Sequence, residues 1–566
     1  MPRICVAVVA FFLAVCTGFR LVMSLTLHMW YAWDQMADDR LLMDQSLPGY
    51  FESQGRYKLA KNQGYSLWLR FIAGTGINVD VAYFLIWFVA AVLVAVAIWR
   101  LFHKRWLSLF AYMYVLWNPL AFDNWIGIRV YRNSLFAPAM FILLALLMLL
   151  LAAPLEKMHI ARGIRLKHDI LRSAAGVADL IVLGLWFAFV YDLKEDSVWL
   201  VPMFLVVIML KLAITLKNGV KSVSAGVLAV ALCLVPAGSA WLGIAGIKHV
   251  NKTHFGVSML NTRTEGAFAG FMQRVYQIRS ADQTPVIWTP KNSIDQAFAA
   301  SPTLRSVNGL QHYVEHSGFA APDINGHPLK GEFLSWQMID AIDATMGWHD
   351  ERRIQFFFSK VNADLDNAFQ SGTLRRTSKI SLSSSLVPRT LPEIFSLIGP
   401  TLRYYGSYFS LNQYRLAVKH NDTKPEHENA NFIGLNQLNI DPHNPNPHYF
   451  SWFSFEHAQR CAQRLLTIYR CINFGLALAA LIAIARLALQ LRRRMHAYVL
   501  PVILALCLWI YGLAYSFVVA WYVEYLAADA DQWAARVHFF NTVGLVQPMI
   551  VVGLLLAVGS LKLHRE

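Results

Sequence analysis

The sequence predicts a mainly α, polytopic membrane protein: a bundle of about ten transmembrane helices with a mainly helical extracytoplasmic domain. Three observations predict it. Of the 566 residues 56% are hydrophobic and only 15% charged, where a soluble chain carries about a quarter charged residues. Apolar runs of about twenty residues recur, each long enough to cross the hydrocarbon core of a bilayer. A long polar stretch, 247–460, interrupts them.

The expected spans are 4–27, 80–101, 106–122, 134–153, 173–191, 197–216, 223–246, 464–488, 498–521 and 543–561. The first is longer than a signal-peptide core and no small-residue cleavage site clearly follows it, so it is expected to be kept. Three blocks result: an N-terminal transmembrane module, 1–246, with a long first outer loop, 28–79; an extracytoplasmic domain, 247–460; and C-terminal transmembrane helices, 461–566.

The net charge of +15 would suit a nucleic-acid binder, but its distribution excludes that reading. Basic residues crowd alternate short loops: Arg100, Lys104 and Arg105; Lys157, Arg162, Arg165, Lys167 and Arg172; Lys217 and Lys221; Arg492, Arg493 and Arg494; Lys562 and Arg565. Positively charged loops stay in the cytoplasm, which places both termini inside and the other loops outside. Cys5, Cys16, Cys233, Cys461, Cys471 and Cys507 fall in or beside spans and form no disulfide or metal framework.

The outer domain reads as helical, with apolar residues at helical spacing over 331–342 and 354–369 and Gly372 as a C-terminal stop. Asp441 to His448, rich in Pro and Asn, is a turn before it is a metal site despite His443 and His448. Within the spans, Arg20 and Lys211 are expected to snorkel or pair, and Asp179 to bond a neighbouring helix.

The chemistry-bearing residues sit on the outer loops. Residues 36–47 have Met36, Leu41, Leu42 and Leu47 against Asp38, Asp39, Arg40 and Asp44, a short interfacial helix with its acids toward water. Acids suit any first helical turn. They also suit a general base taking a proton from a hydroxyl, with its neighbour as brace, since adjacent helical residues point about 100° apart. Arg56, Lys58 and Lys61 follow, then Gly64, Tyr65 and Trp68. The basic residues can snorkel or stabilise a leaving phosphate; the aromatics fit an interfacial belt. The second loop places Arg129 and Arg132 outside, against the charge rule. Three apart on a helical turn, both could face one anion, or pair with Asp123, Asp38 or Asp39. The third loop carries Lys194, Glu195, Asp196 and Trp199 on the same side. No Gly-rich nucleotide loop is present.

In this order of motifs the sequence resembles the GT-C glycosyltransferases, in particular bacterial members similar to the aminoarabinose and protein O-mannosyl transferases. The resemblance rests on Asp38-Asp39 after the first span, on Lys61-Asn62-Gln63-Gly64-Tyr65 leading into the second, on Arg129 and Arg132, and on Lys194-Glu195-Asp196-Ser197-Val198-Trp199, and covers about residues 1–210. Lys194 stands where the family more often has arginine. The resemblance implies an inverting transfer of a sugar from a polyprenyl-phosphate-linked donor to a glycan, lipid or protein acceptor. It implies a place in the bacterial inner (plasma) membrane and an extracytoplasmic active site. One of Asp38 and Asp39 would be the base. Lys58, Lys61, Arg129, Arg132 and Lys194 would hold donor phosphate, and Tyr65, Glu195, Asp196 and Trp199 would line the acceptor cavity. No metal site is specified: an acid pair can recruit a divalent cation, but carboxylates of one loop are too few ligands to define one. Two other readings compete. A glycan polymerase or ligase would release a lipid diphosphate. A lipid-linked sugar flippase would need ionisable residues at mid-span and broken helices, whereas these charges cluster at one face.

Overall fold

The computed structural model describes residues 3–31, 37–153, 168–217, 223–317, 329–383, 385–419, 430–439, 447–492, 499–527 and 531–561. The basic segments 154–167, 218–222, 493–498 and 562–566, and most of Asp441 to His448, lie outside the described residues.

The N-terminal module comprises α1 (Arg3–Leu27), α2 (Ala37–Ser46), α3 (Gly64–Thr75), α4 (Val79–Phe102), α5 (Arg105–Leu116), α6 (Arg132–Ala152), α7 (His168–Leu193), α8 (Val201–Lys217) and α9 (Val223–Phe255). The C-terminal helices are α19 (Phe455–Arg492), α20 (Val499–Ala527) and α21 (Asp531–Gly559). Nine helices among the described residues are long and apolar enough to cross a membrane: α1, α4, α6 to α9 and α19 to α21. This is a mainly helical integral membrane protein.

The tenth expected span, 106–122, differs. Its helix α5 is only 12 residues long, which is about 18 Å at 1.5 Å per residue. Asn118 and Pro119 end it, because a residue before proline is driven out of the helical region. The Asn118 side chain then caps the 3-10 turn Pro119–Phe122 by accepting from the Leu120 N–H. Arg20, buried on α1, supports the truncated end by donating Nε to the Leu116 carbonyl at 3.0 Å and lying over the Phe122 ring. Lys211 does the same for α6, reaching the Leu151 and Ala153 carbonyls. Both therefore cap helix ends rather than snorkel. Asp179, expected to bond a neighbouring helix, is exposed on α7 with no partner among the described residues.

Between α9 and α19 lie α10 (Gly266–Gln277), β1 (Ile287–Thr289), α11 (Lys291–Ala300), α12 (Pro302–Arg305), α13 (Leu310–His316), β2 (Leu329–Lys330), α14 (Phe333–Met346), α15 (Glu351–Gln370), α16 (Leu391–Ser396), α17 (Ile398–Ser410) and α18 (Ala430–Gln437). Helices α14 and α15 match the periodic stretches in the sequence, and Gly372 follows α15 at a φ of +79°, the left-handed conformation of a helix stop. Helices α10 to α15 enclose a core of their own, including Phe268, Phe358, Ile339 and Trp288, which is sealed against Trp521 and Tyr525 of α20.

The domain boundaries shift accordingly. Helix α9 continues unbroken through 247–255, and Asn251 on that extension bonds Gln63. Helix α17 packs into the membrane bundle instead of against α10 to α15. Its Tyr408 is buried against His538 of α21, the Tyr405 hydroxyl donates to the Trp509 carbonyl of α20, and Asn473 of α19 donates to the Phe409 carbonyl.

The bundle has two chemically distinct ends. At one, Lys104 ties the α4–α5 turn to the Gly559 and Leu561 carbonyls after α21. At the other meet the end of α1, the starts of α4 and α6, the α7–α8 junction and the start of α21. There His28 pairs with Asp80 at 2.5 Å, Trp30 bridges Arg129 in extended backbone, and Lys194 donates to the Asn541 carbonyl.

Candidate functional site

At that second end a cavity of about 1060 Å³ lies between the bundle and the segment that carries helices α10 to α15. Loops far apart in sequence reach it because two glycines allow close backbone approach. A Cβ on Gly127 would sit 2.1 Å from the Leu120 carbonyl oxygen, so only glycine lets the second loop fold back on the 3-10 turn. A Cβ on Gly64 would sit 2.7 Å from the Asp192 backbone, so glycine lets the start of α3 abut the end of α7.

The two acids of α2 part company in this site. Asp39 is fully enclosed and holds Arg129 in a two-pronged pair, accepting Nε at 2.9 Å and Nη2 at 2.6 Å. The Arg129 guanidinium lies among the rings of Trp30, Trp125, Tyr131 and Phe540, all within 5.6 Å. Asp38 keeps 37% of its side chain exposed and accepts from Lys61 at 3.0 Å and from the Tyr131 hydroxyl at 3.2 Å. The expectation of acids turned toward water is corrected by this arrangement. Asp39 is a strut in the protein interior, and Asp38 alone faces the cavity with a free edge.

The electrostatics follow the geometry. Burial pushes Asp39 up to about 6 against the pull of Arg129. Burial also works to raise Asp38, but Lys61 and Arg132 outweigh it and hold that carboxyl below the usual range. Asp38 is thus ionised at neutral pH. Burial lowers the Lys194 ammonium despite Asp196 nearby.

Arg129 and Arg132 do not share a helical turn and do not converge on one anion. Arg129 is extended backbone, whereas Arg132 opens α6 and pairs with Glu195 at 2.6 Å. Lys194 is 3.6 Å from Asp196, whose carboxylate also accepts from the Tyr515 hydroxyl. Of the residues the sequence singled out, Asp38, Asp39, Lys61, Arg129, Arg132, Lys194, Glu195, Asp196 and Trp199 line the one cavity. Two do not. Lys58 bonds the Tyr50 carbonyl and lies over the Tyr50 ring, and Tyr65 is buried with its hydroxyl on that of Tyr83 at 2.8 Å. Lys58 thus braces the loop between α2 and α3, and Tyr65 joins α3 to α4.

Residues 263–336 and helix α20 contribute residues the sequence reading missed. Arg263 pairs with Glu332 and lies 4.2 Å over the Trp336 ring, and Lys61 lies 5.2 Å from the same ring. Tyr276, Tyr522 and Tyr525 complete that wall. Nothing in the sequence marked Arg263, since a lone arginine in a polar stretch has no periodicity or motif around it. Trp336 was visible only as one of several scattered aromatics. Among the described residues no group of three or more His, Cys, Asp or Glu is placed to hold a metal ion.

Comparison with known protein families, with characterised proteins and with solved structures finds no match.

Proposed function

We propose that the protein is an inverting membrane glycosyltransferase that moves a sugar from a polyprenyl-phosphate-linked donor to a glycan, lipid or protein acceptor in this cavity. One observation carries the reading: of the acid pair, Asp38 keeps an exposed edge on a large cavity at the end of an apolar bundle, beside Lys61 and two arginines from distant parts of the chain, Arg132 and Arg263. A lipid-linked donor needs that combination, with hydrocarbon on one side for its chain and cations at the boundary for its phosphate. In the reaction the acceptor hydroxyl oxygen attacks the anomeric carbon and gives its proton to Asp38. The bond from that carbon to the phosphate oxygen breaks, and its electron pair leaves with the polyprenyl phosphate. Lys61 neighbours both events. It holds Asp38 ionised before the transfer and can turn to the departing phosphate once Asp38 is protonated. Arg132, tied to Glu195, adds positive potential without moving. Asp39 and Arg129 position the helix that bears the base. Trp336, with Arg263 and Lys61 on it, offers an apolar face on which a sugar ring can stack.

The test is sugar transfer from synthetic polyprenyl-phosphate sugars by the full chain in detergent. Asp38→Asn is expected to lower turnover by about a hundredfold or more, the usual contribution of a positioned base. Undiminished transfer by that variant removes the catalytic assignment. Absence of transfer by the unmodified chain with every such donor favours a diphosphate donor or transport instead.

A further inference from the structure

The cavity wall contains nine basic side chains: Arg40, Arg56, Lys61, Arg129, Arg132, Lys194, Arg263, Arg415 and Arg536. Seven of them have a carboxylate within 4.0 Å. Arg415 and Arg536 have none among the described residues. They are also neighbours. Arg415 lies 5.2 Å over the Trp125 ring, and Trp125 contacts Phe540 of α21. Arg536 is four residues before Phe540, hence on the same face of that helix, one turn away. Their mutual repulsion is felt at Arg415, whose guanidinium is lowered by burial and by Arg536 more than Asp123 raises it.

The local structure is built to hold Arg415 there. Its backbone N–H donates to Asp123 at 2.8 Å and its carbonyl accepts from Asn124 at 3.0 Å. The one carboxylate close by, Asp123, is committed to backbone: its oxygens take the N–H groups of Trp125, Ile126 and Arg415. Two cations that share one nearby carboxylate, itself hydrogen-bonded to backbone, carry an electrostatic cost that a bound anion relieves. Guanidinium groups are suited to receive it in two-pronged fashion.

We propose that Arg415 and Arg536 form an anion-binding subsite of this cavity, which takes a phosphate or carboxylate borne by one of the two substrates. That a substrate bears it rests on the transferase reading; the subsite does not. Because the Trp125 ring centre lies 4.9 Å from the Arg129 guanidinium and 5.2 Å from that of Arg415, the Arg415 end of the subsite is within about 10 Å of the Asp39–Arg129 strut. The charge it holds therefore shares one cavity with Asp38. On the acceptor, this selects an anionic glycan or a phosphate-bearing lipid headgroup. On the donor, it is a second contact to the carrier phosphate.

The experiment is calorimetric or fluorescence titration of the detergent-solubilised full chain with three anions, dodecyl phosphate, glucose 6-phosphate and glucuronate, with glucose as the neutral control. At least one anion is expected to bind, more weakly at high salt. The Arg415→Gln/Arg536→Gln double variant should weaken it tenfold or more, while the lysine double variant retains part of the affinity. Preference for dodecyl phosphate assigns the subsite to a lipid-linked substrate, and preference for the sugar anions assigns it to a glycan. Thermal unfolding of the glutamine variant verifies that it is folded, and Asp38→Asn should still bind the anion even though it fails in transfer. If none of the three anions binds the unmodified chain, or if the glutamine variant binds them with unchanged affinity, the subsite does not exist.

Discussion

Replacing Arg129 by methionine isolates the strut on which the acid-bearing helix rests. Both partners are enclosed, with 2% of the arginine and 0% of the aspartate side chain exposed. Even with Arg129 in place, burial raises Asp39 from 3.8 to about 6. That shift means the ionised form costs the folded state about 3 kcal/mol. The sign is that of a raised carboxyl. The stability linked to its proton is fully present below about pH 4 and is lost as the pH rises through about 6. Removing the arginine takes away the only strong opposing charge, and breaking a buried pair from one side costs about 3–5 kcal/mol. Arg129→Met should therefore melt well below the unmodified chain at about pH 8, with the gap narrowing toward about pH 5 as Asp39 takes up a proton. Adding Asp39→Asn should recover part of the loss, because no buried charge is then left alone. The assay is thermal unfolding in detergent, followed by tryptophan fluorescence across that range. A gap that is absent, or that does not change with pH, refutes the reasoning.

The other expectations are shorter. Asp38→Asn keeps an acceptor for Lys61 and sits at a carboxylate that is 37% exposed, so it should lower the melting temperature less than Arg129→Met does, and loss of transfer with the smaller melting change separates its role from that of Asp39. Transfer by the unmodified chain should fall as the pH drops through about 6, where Asp39 protonates and frees Arg129, and not further down where Asp38 titrates; an acid limb that appears only near about pH 4 excludes Asp39 as a support. Gly127→Ala drives a methyl group to 2.1 Å from the Leu120 carbonyl, and should cost about 1–3 kcal/mol, read as a lower melting temperature. Trp336→Ala removes the ring under Arg263 and Lys61 and should raise the acceptor KM about tenfold with little change in kcat, as loss of a stacking face does.

Much of this was legible because it rests on local periodicity and on charge. The apolar runs announce nine helices, and the alternation between 36 and 47 announces α2. Gly64 and the charged outer loops stand out because each breaks the pattern around it. What escaped is long-range. That α5 stops after 12 residues could have been read from Asn118-Pro119, but an apolar run masks such a break. That α17 belongs to the bundle could not, since its amphipathic sequence fits either core and its partners, Asn473 and His538, lie far along the chain. The division of labour between Asp38 and Asp39 was equally hidden. Neighbours in sequence, they are separated only by which way each projects from a helix whose docking the sequence does not specify.

That docking explains why the acids are found on so short an element. A helix of 10 residues is marginal on its own in water, and α2, rich in charge, buries only Leu42 and Met43 of its large apolar side chains fully. It is held instead through its polar groups. Ser66 of α3 donates to the Leu42 carbonyl, and Arg70 donates to the Ser46 and Leu47 carbonyls at its C-terminus, where a cation also meets the negative end of the helix dipole. Gln45 reaches the Lys58 and Lys61 carbonyls, and Met43 packs against Gly434 of α18. At the N-terminus, Arg129 takes hold of Asp39. Each anchor comes from a different part of the chain, so α2 forms only where those parts already meet. The carboxylate of Asp38 thus acquires its position from the assembled cavity rather than from its own helix, and a change at any of these anchors should be felt at the base.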